Sequence, residues 1–264
     1  MQYNNKIFWV TGASSGIGKA VVYELLKREA TVIASSNLAD ELEEVKKNCS
    51  EKTHLLSTVI FDLADTNDIE KIVAQQYTKH GRIDVLINLG GVSQRSKITE
   101  TPLWLDRKIM EINYFGTIAL SKALLPYMIK QGSGHIMATS SIAGRFGFPL
   151  RSAYSASKQA LHGFFETLHI ENRENNVKAT MIIPGRVRTN ISFNALTATG
   201  SIHGKLDSGQ AGGISPEKAA RMILRGLERN KREVLVGGKE LIMLFIRRFF
   251  PSIFFNLANR MKPY

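Results

Sequence analysis

A tyrosine and a lysine four positions apart are the residues of this 264-residue sequence best suited to acid–base chemistry. Tyr154 and Lys158 occur in the run YSASK and would share one face of a predicted helix. A free tyrosine has a pKa of about 10, but a nearby ammonium group stabilises the phenolate and lowers that pKa. The spacing therefore predicts Tyr154 as an acid/base, although ordinary surface pairs also show it.

A glycine-rich turn near the N-terminus supplies a second chemical signal. Residues 11–18 read TGASSGIG, between an apolar strand pattern and a helical pattern. Gly12 allows the sharp turn, Gly16 lets a pyrophosphate approach the backbone, and Gly18 lets the helix pack on the strand. Because a helix N-terminus also offers free N–H groups to phosphates, this turn predicts dinucleotide binding.

The same turn fits the nucleophile elbow GxSxG of serine hydrolases, with Ser14 as the nucleophile. That elbow follows several strands, because earlier strands supply its oxyanion-hole loop. Only one strand pattern precedes this turn, and no aspartate and histidine follow it in a setting that completes a triad. We therefore favour the dinucleotide interpretation.

The elements around these residues predict an α/β fold with a doubly wound, mostly parallel, seven-stranded sheet of Rossmann type and helices on both faces. Apolar runs predict the strands, and 3.6-residue patterns predict the helices. We expect one domain over residues 1–264, because no repeat or low-complexity linker interrupts the alternation. The predicted strands are 7–11, 31–35, 55–62, 84–89, 135–140, 177–183 and 233–236. The predicted helices are 16–28, 39–47, 67–79, 102–130, 152–172 and 216–229.

Two segments depart from this alternation. Residues 190–213 are rich in Gly, Ser, Thr and Ala without a clear period, and they predict a mobile substrate lid. Residues 239–264 form an apolar, basic tail that is too interrupted to span a bilayer, and Pro251 should end or kink a helix there. The tail has three interpretations: a buried helix or homo-oligomer contact, a wall of an apolar substrate pocket, or a peripheral membrane contact through phenylalanines with Arg247, Arg248 and Arg260.

Composition narrows the classes of protein. The formal charge is +12, yet no nucleic-acid motif or long run of like charge occurs, so we expect no nucleic-acid partner. The single cysteine, Cys49, cannot form an internal disulfide, and the N-terminus lacks a signal-peptide pattern, so we expect a cytoplasmic protein. The histidines lack HxxxH or HExxH spacing, which predicts no metal, and His162 and His169 are expected to be packing or interface residues.

Together the motifs resemble the short-chain dehydrogenase/reductase family, in its compact single-domain branch. The similarity covers about residues 5–190 and comprises TGxxxGxG, an NNAG-like turn, an Asn in the next helix, and Ser-x12-Tyr-x3-Lys. The twelve-residue gap to Tyr154 selects Ser141 over Ser140. Residues 184–189, PGRVRT, resemble the family's PGxVxT turn.

The resemblance implies hydride transfer between a nicotinamide dinucleotide and a carbonyl or alcohol substrate. Tyr154 would exchange the proton, Ser141 would hydrogen-bond the substrate oxygen, and Asn113 would help hold a water for proton relay. Lys158 would hold the nicotinamide ribose and lower the pKa of Tyr154. The expected dinucleotide contacts are Gly12, Ser14, Ser15, Gly16, Ile17, Gly18, Ser36, Asn37, Asp62, Leu63, Asn88, Gly90, Tyr154, Lys158, Pro184, Gly185, Val187 and Thr189, with Thr189 at the carboxamide and Asp62 at the adenine.

Two departures from the family pattern affect these expectations. The NNAG turn reads Asn88-Leu89-Gly90-Gly91, so we expect the turn to form with altered hydrogen bonds. After the second strand, residues 36–38 carry neither the basic residue of NADP-dependent relatives nor the acid of NAD-dependent ones. We expect NADP(H) to be preferred over NAD(H), because Ser36 and Asn37 could donate to a 2′-phosphate.

Two other functions remain as alternatives. A dinucleotide-binding regulator would sense redox state without turnover, although the complete Ser141, Tyr154 and Lys158 set favours an enzyme. A sugar-nucleotide epimerase could use the same tyrosine and lysine, but those relatives are longer and have a TGxxGxxG turn. The apolar tail favours a lipophilic substrate, and we expect a homo-oligomer, either a dimer or a tetramer.

Overall fold

The computed structural model describes residues 2–258 of the chain. Seven parallel strands form one sheet in the order β3-β2-β1-β4-β5-β6-β7. The predicted α/β sheet is confirmed. The strands are β1 (Ile7–Thr11), β2 (Thr31–Ser36), β3 (Leu56–Ile60), β4 (Val85–Asn88), β5 (Gly134–Thr139), β6 (Val177–Pro184) and β7 (Glu233–Val236).

Helices cover both faces of this sheet. Neighbouring residues of a strand point to opposite faces, so Phe8 and Val10 join one core while Trp9 joins the other. The first core contains side chains of α1, α2 and α8, and the second contains those of α3, α5 and α6. The helices are α1 (Gly16–Lys27), α2 (Ala39–Lys47), α3 (Ile69–His80), α4 (Leu103–Met110), α5 (Gly116–Gln131), α6 (Ser152–Glu171), α7 (Ser208–Ala211), α8 (Pro216–Glu228), α9 (Ile242–Phe249) and α10 (Pro251–Ala258).

The helix predicted over residues 102–130 is present as a helical backbone from Leu103 to Gln131, with one local change of helix type. A π-helical turn, Glu111–Phe115, separates α4 from α5 and contains Asn113. Gly116 follows it directly, and a Cβ there would lie 2.2 Å from the Leu63 carbonyl oxygen. The wider turn therefore lets the backbone pass close to residue 63 while the buried Asn113 side chain keeps its partners.

The tail forms two short helices after β7. The break predicted at Pro251 is confirmed, because α9 ends at Phe249 and α10 begins at Pro251. None of the helices within residues 2–258 is long and apolar enough to cross a membrane. The residues from 259 onward, including Arg260, lie outside the described part of the chain.

Candidate active site

A cavity of about 1000 Å³ opens at the carboxyl ends of the strands, where the strand order reverses between β1 and β4. Such a switch point is where open parallel sheets bind ligands. The cavity is lined by the glycine turn, the ends of β2, β5 and β6, the turn after β4, the start of α6, the lid segment (residues 190–213) and the tail. All the predicted site residues line it except Asn88 and Asn113.

The glycine turn is shaped by contacts that leave no room for side chains. A Cβ at Gly12, whose φ is +63°, would lie 2.8 Å from the Gly90 backbone. A Cβ at Gly18 would lie 2.1 Å from the Gly12 carbonyl oxygen. The backbone of the turn and the N-terminus of α1 therefore border the cavity directly, which fits a dinucleotide pyrophosphate.

The turn after β4 forms without the family's second asparagine. The backbone N–H groups of Leu89 and Gly90 both donate to Thr11 Oγ1 at 3.1 Å. Asn88 lies beneath the cavity and donates to Ser121 Oγ at 3.3 Å and to the Met137 carbonyl at 3.2 Å. Its side chain thus joins β4 to neighbouring elements and does not line the cavity.

Asn113 is buried in the π-helical turn and holds the segment after β4. Its Oδ1 accepts from the Val92 N–H at 2.8 Å, and its Nδ2 donates to the Val92 carbonyl and to Ser157 Oγ, both at 3.0 Å. Ser157 lies next to Lys158 in α6. Asn113 therefore connects the turn after β4 with the helix that carries Tyr154 and Lys158.

Ser141, Tyr154 and Lys158 meet at one wall of the cavity. Burial raises the pKa of Tyr154, while a hydrogen-bonding interaction with Ser141 and the charges of Arg151 and Arg95 act to lower it. Lys158 donates to the Thr139 carbonyl at 3.0 Å, and its Nζ lies 5.9 Å from the centre of the Tyr154 ring. Burial lowers the pKa of Lys158 to about 8, so its proton is held weakly near neutral pH.

The end of β2 supplies the polar groups expected near the adenosine. Ser36 donates to Ser14 Oγ at 3.0 Å and accepts from the Leu38 N–H at 3.2 Å. The Asn37 amide donates to the Asp62 carboxylate at 3.3 Å. These contacts bring Ser14, Ser36, Asn37 and Asp62 together at one place in the cavity.

The turn after β6 packs against the glycine turn. The Gly185 N–H donates to the Val236 carbonyl at 2.8 Å, and the Val187 side chain is buried. The Thr189 methyl group lies 3.1 Å from where a Cβ on Gly16 would stand. Pro184, Gly185, Val187 and Thr189 thus line the cavity opposite the N-terminus of α1.

A buried ion cluster beside Tyr154 was missed from the sequence. Asp207 of the lid segment accepts from Arg95 at 2.6 and 3.3 Å and from Arg151 at 2.6 Å. The exposed fractions of the Arg95, Asp207 and Arg151 side chains are 2%, 7% and 13%. Two guanidinium groups against one carboxylate leave an excess positive charge at this wall. The position of Arg151 three residues before Tyr154 was the only local signal.

Backbone hydrogen bonds also attach the lid segment to residues 93–95. The Leu196 N–H donates to the Ser93 carbonyl at 2.9 Å, and the Arg95 N–H donates to the Leu196 carbonyl at 2.8 Å. Gln94 Oε1 accepts from the N–H groups of Ala153 and Tyr154 at 2.9 and 3.4 Å. Residues 93–95 therefore connect the lid segment to the start of α6.

His162, which was expected to be a packing residue, is buried against the site. Its Nε2 lies 2.8 Å from Ser140 Oγ, and burial lowers its pKa to about 4, so the ring is neutral near pH 7. His162, Glu166 and Glu233 form the one group within residues 2–258 with three possible metal ligands, whose atoms lie within 4.8 Å of one another. Arg145 forms an ion pair with Glu233 there, which supplies a cation to the group.

Known proteins are similar to this chain in sequence and in architecture. The sequence profile of the short chain dehydrogenase family matches residues 6–199. The mouse protein named dehydrogenase/reductase SDR family member 7B is 41% identical, over 98% of this chain and 82% of its own length. The Drosophila melanogaster protein named dehydrogenase/reductase SDR family protein 7-like is 38% identical, over 96% of this chain and 79% of its own.

Two solved structures show the same fold. A short-chain dehydrogenase/reductase from Burkholderia phymatum in complex with NAD has a TM-score of 0.84 at 17% identity, over 100% of this chain and 98% of that one. A short-chain dehydrogenase from Burkholderia cenocepacia in complex with NADP has a TM-score of 0.79 at 24% identity, over 98% and 99%. With the family profile and the relatives above, the chain belongs to the short-chain dehydrogenase/reductase family of NAD(P)-dependent oxidoreductases.

Proposed function

We propose that Tyr154 is the acid/base of a reaction that interconverts a carbonyl compound and an alcohol. The observation that carries this proposal is the position of its side chain, which lines the same cavity as the glycine turn and interacts with Ser141. Burial raises the pKa of Tyr154, and the positive charge of the arginines of the buried ion cluster opposes that rise and favours the phenolate. A tyrosine in this setting is suited to proton exchange with a substrate oxygen.

The remaining site residues support that proton exchange. A bound nicotinamide dinucleotide would supply or accept the hydride. The Ser141 hydroxyl would hydrogen-bond the substrate oxygen, which orients it toward Tyr154. Lys158, with a pKa near 8, would hold the nicotinamide ribose and return a proton to Tyr154, and Asn113 would help hold the relaying water.

The test compares Tyr154→Phe with Tyr77→Phe on a broad panel of carbonyl and alcohol substrates. Tyr77 lies in α3 against Tyr127, 4.6 Å between ring centres, so it controls for loss of a phenol. We expect kcat/KM to fall about 1000-fold for Tyr154→Phe, with dinucleotide affinity retained. If the unaltered protein binds the dinucleotide but turns over no substrate, the regulatory alternative is favoured and the proposal is contradicted.

A preference for NADP(H) over NAD(H) is the finer part of the proposal. It is supported by Ser36 and Asn37, two neutral donors at the position where an acid would accept from a ribose hydroxyl. To bind a 2′-phosphate, the Asn37 amide would have to give up its hydrogen bond to the Asp62 carboxylate and donate to the phosphate instead. Parallel fluorescence titrations with NADPH and NADH test this preference, and equal or tighter binding of NADH contradicts it.

We also propose that the substrate is lipophilic. We further propose that the chain forms one domain and that the protein is a cytoplasmic dimer or tetramer. Support for the substrate class comes from apolar side chains that line the cavity: Ile142, Phe146, Phe148, Leu196, Ile202 and Met243. In a series of ketones of increasing chain length, kcat/KM should rise with length. A flat series contradicts a lipophilic substrate, and light scattering measures the oligomeric state.

A further inference from the structure

The two tail helices expose seven large apolar side chains on the outside of the molecule. Ile242, Phe245 and Phe249 recur along one side of α9 and are 58%, 52% and 57% exposed. The Phe245 ring lies 4.7 Å from that of Phe249 and 6.2 Å from that of Phe250. We define the tail face as the exposed large apolar residues of this region: Ile242, Phe245, Phe249, Phe250, Ile253, Phe255 and Leu257.

The helices are held to the body by other residues than these. Phe254 is 2% exposed, and its ring lies 4.8 Å from that of Phe146, which lines the active-site cavity. Met243 of α9 also lines the cavity. The tail face is therefore fixed beside the cavity and turned away from the core, so its exposure does not come from loose packing.

The charge around the tail face is positive. Residues 239–258 contain Lys239, Arg247 and Arg248 against one acid, Glu240, a net charge of +2 from three cations and one anion. The Glu240 carboxylate accepts the backbone N–H groups of Arg186 and Gly238 at 2.7 and 3.0 Å, so it faces inward. The exposed rings thus stand beside cations that no acid within the tail helices neutralises.

Both arginines lie over the aromatic rings of the tail. The Arg248 guanidinium lies 5.5 Å from the centre of the Phe249 ring, and that of Arg247 lies 5.7 and 5.1 Å from those of Phe254 and Phe255. Cations among exposed phenylalanines suit a boundary between apolar chains and anionic groups.

We propose that the tail face docks on the surface of an anionic lipid bilayer. Helices of eight residues are too short to span a bilayer, but they can lie in its plane with phenylalanines among the acyl chains and arginines at the headgroups. A second copy of the chain fits less well, because a two-fold contact through this face would bring like charges together. Docking would also place the Met243 side of the cavity next to lipid, where a lipophilic substrate could enter. This route for the substrate rests on the proposed function, whereas the docking itself does not.

Flotation of the full chain with vesicles tests the proposal without any turnover. One set of vesicles is phosphatidylcholine alone, and the other is phosphatidylcholine mixed with phosphatidylserine. We expect binding to the mixed vesicles and about 30-fold weaker binding to the neutral ones, because each of the two arginines contributes about fivefold near an anionic surface. Raising the salt concentration should lower binding to the mixed vesicles.

Two variants and a control connect the binding to the tail face. Phe245→Ser with Phe249→Ser should abolish flotation, and Arg247→Gln with Arg248→Gln should reduce binding on mixed vesicles to the neutral level. The control is Ile98→Ser with Ile170→Ser, two residues that are 78% and 73% exposed outside the tail, and it should float like the unaltered chain. Circular dichroism melts check that each variant folds.

Three results would overturn the proposal. The first is an unaltered chain that stays off both kinds of vesicle. The second is equal binding to neutral and anionic vesicles. The third comes from light scattering: if the phenylalanine variant loses a dimer that the unaltered chain forms, the tail face is a contact between copies.

Discussion

The two ends of the active-site cavity are built in opposite ways. The glycine turn is made of backbone, and neighbouring main-chain atoms already fill the space of a Cβ at Gly12 or Gly18. The wall beside Tyr154 is made of charged side chains, with Asp207 reaching partners 112 and 56 positions away in the sequence. The first end is determined by local sequence, whereas the second depends on how distant segments fold together.

Gly18→Ala is expected to have the largest effect, because it tests whether the glycine turn tolerates any side chain. The new Cβ would lie 2.1 Å from the Gly12 carbonyl oxygen and 2.7 Å from the Gly12 carbonyl carbon, and these backbone atoms leave little room for adjustment. We expect a loss of about 4 kcal/mol in the free energy of unfolding. Urea denaturation measures this loss, and fluorescence titration measures the accompanying fall in dinucleotide affinity.

The matched control is Gly163→Ala in α6, where a Cβ would meet nothing within 4 Å. Removing a helical glycine should stabilise the protein by about 1 kcal/mol. If the two alanine variants unfold at the same urea concentration, the close packing inferred at the glycine turn is wrong.

Asp207→Asn tests the opposite end and should have the next largest effect. Asparagine keeps the shape but leaves Arg95 and Arg151 buried without a countercharge, at a cost of about 3 kcal/mol in unfolding free energy. Because the lid segment loses its ion pairs, KM should rise while dinucleotide affinity stays unchanged. The uncompensated arginines should also lower the pKa of Tyr154, so the rate of alcohol oxidation with Tyr154 as the base should reach half of its maximum at a lower pH than in the unaltered protein.

Asp106→Asn, in α4, controls for the loss of a carboxylate elsewhere. A Gly18→Ala protein with normal dinucleotide affinity, or an Asp207→Asn protein with weakened dinucleotide affinity, would break the division between the two ends. The expected pattern is therefore a crossed one, with each substitution affecting one ligand.

The contrast between the two ends of the cavity also explains which features could be predicted from the sequence. The strands, the glycine turn and the pairing of Tyr154 with Lys158 follow from local patterns, since glycine spacing and period-four helical pairs act over a few residues. The π-helical turn at Asn113 was not predicted, because its apolar pattern fits a regular helix as well. Arg95 and Asp207 gave no signal, since an isolated charge does not indicate a partner more than a hundred residues away.

Asn88 shows a different limit of sequence reasoning. The resemblance places Asn88 in the turn, whereas the direction of its side chain is set by Ser121 and Met137 on neighbouring elements. Only the described structure distinguishes a residue that lines the cavity from one that supports its floor.

Lys158→Met tests the cavity wall beside Tyr154 and has the smallest expected effect on the free energy of unfolding. Burial lowers the pKa of Lys158 from 10.5 to about 8, so holding its charge in the folded state costs stability at neutral pH. The depression corresponds to about 3 kcal/mol, and losing the hydrogen bond to the Thr139 carbonyl offsets part of it. We expect the variant to gain about 2 kcal/mol in unfolding free energy at pH 7 while losing activity.

The pH dependence of that gain gives the sign of the effect. Below about pH 8 both the folded and unfolded states hold the proton, so the cost is fully present. As the pH rises from about 8 toward 10.5, the unfolded state binds more protons than the folded one, and the unaltered protein becomes more stable relative to the variant. Urea denaturation of both proteins at several pH values should show the gain shrinking over this range. A gain that is constant with pH would mean that packing, and not a buried charge, separates the two proteins.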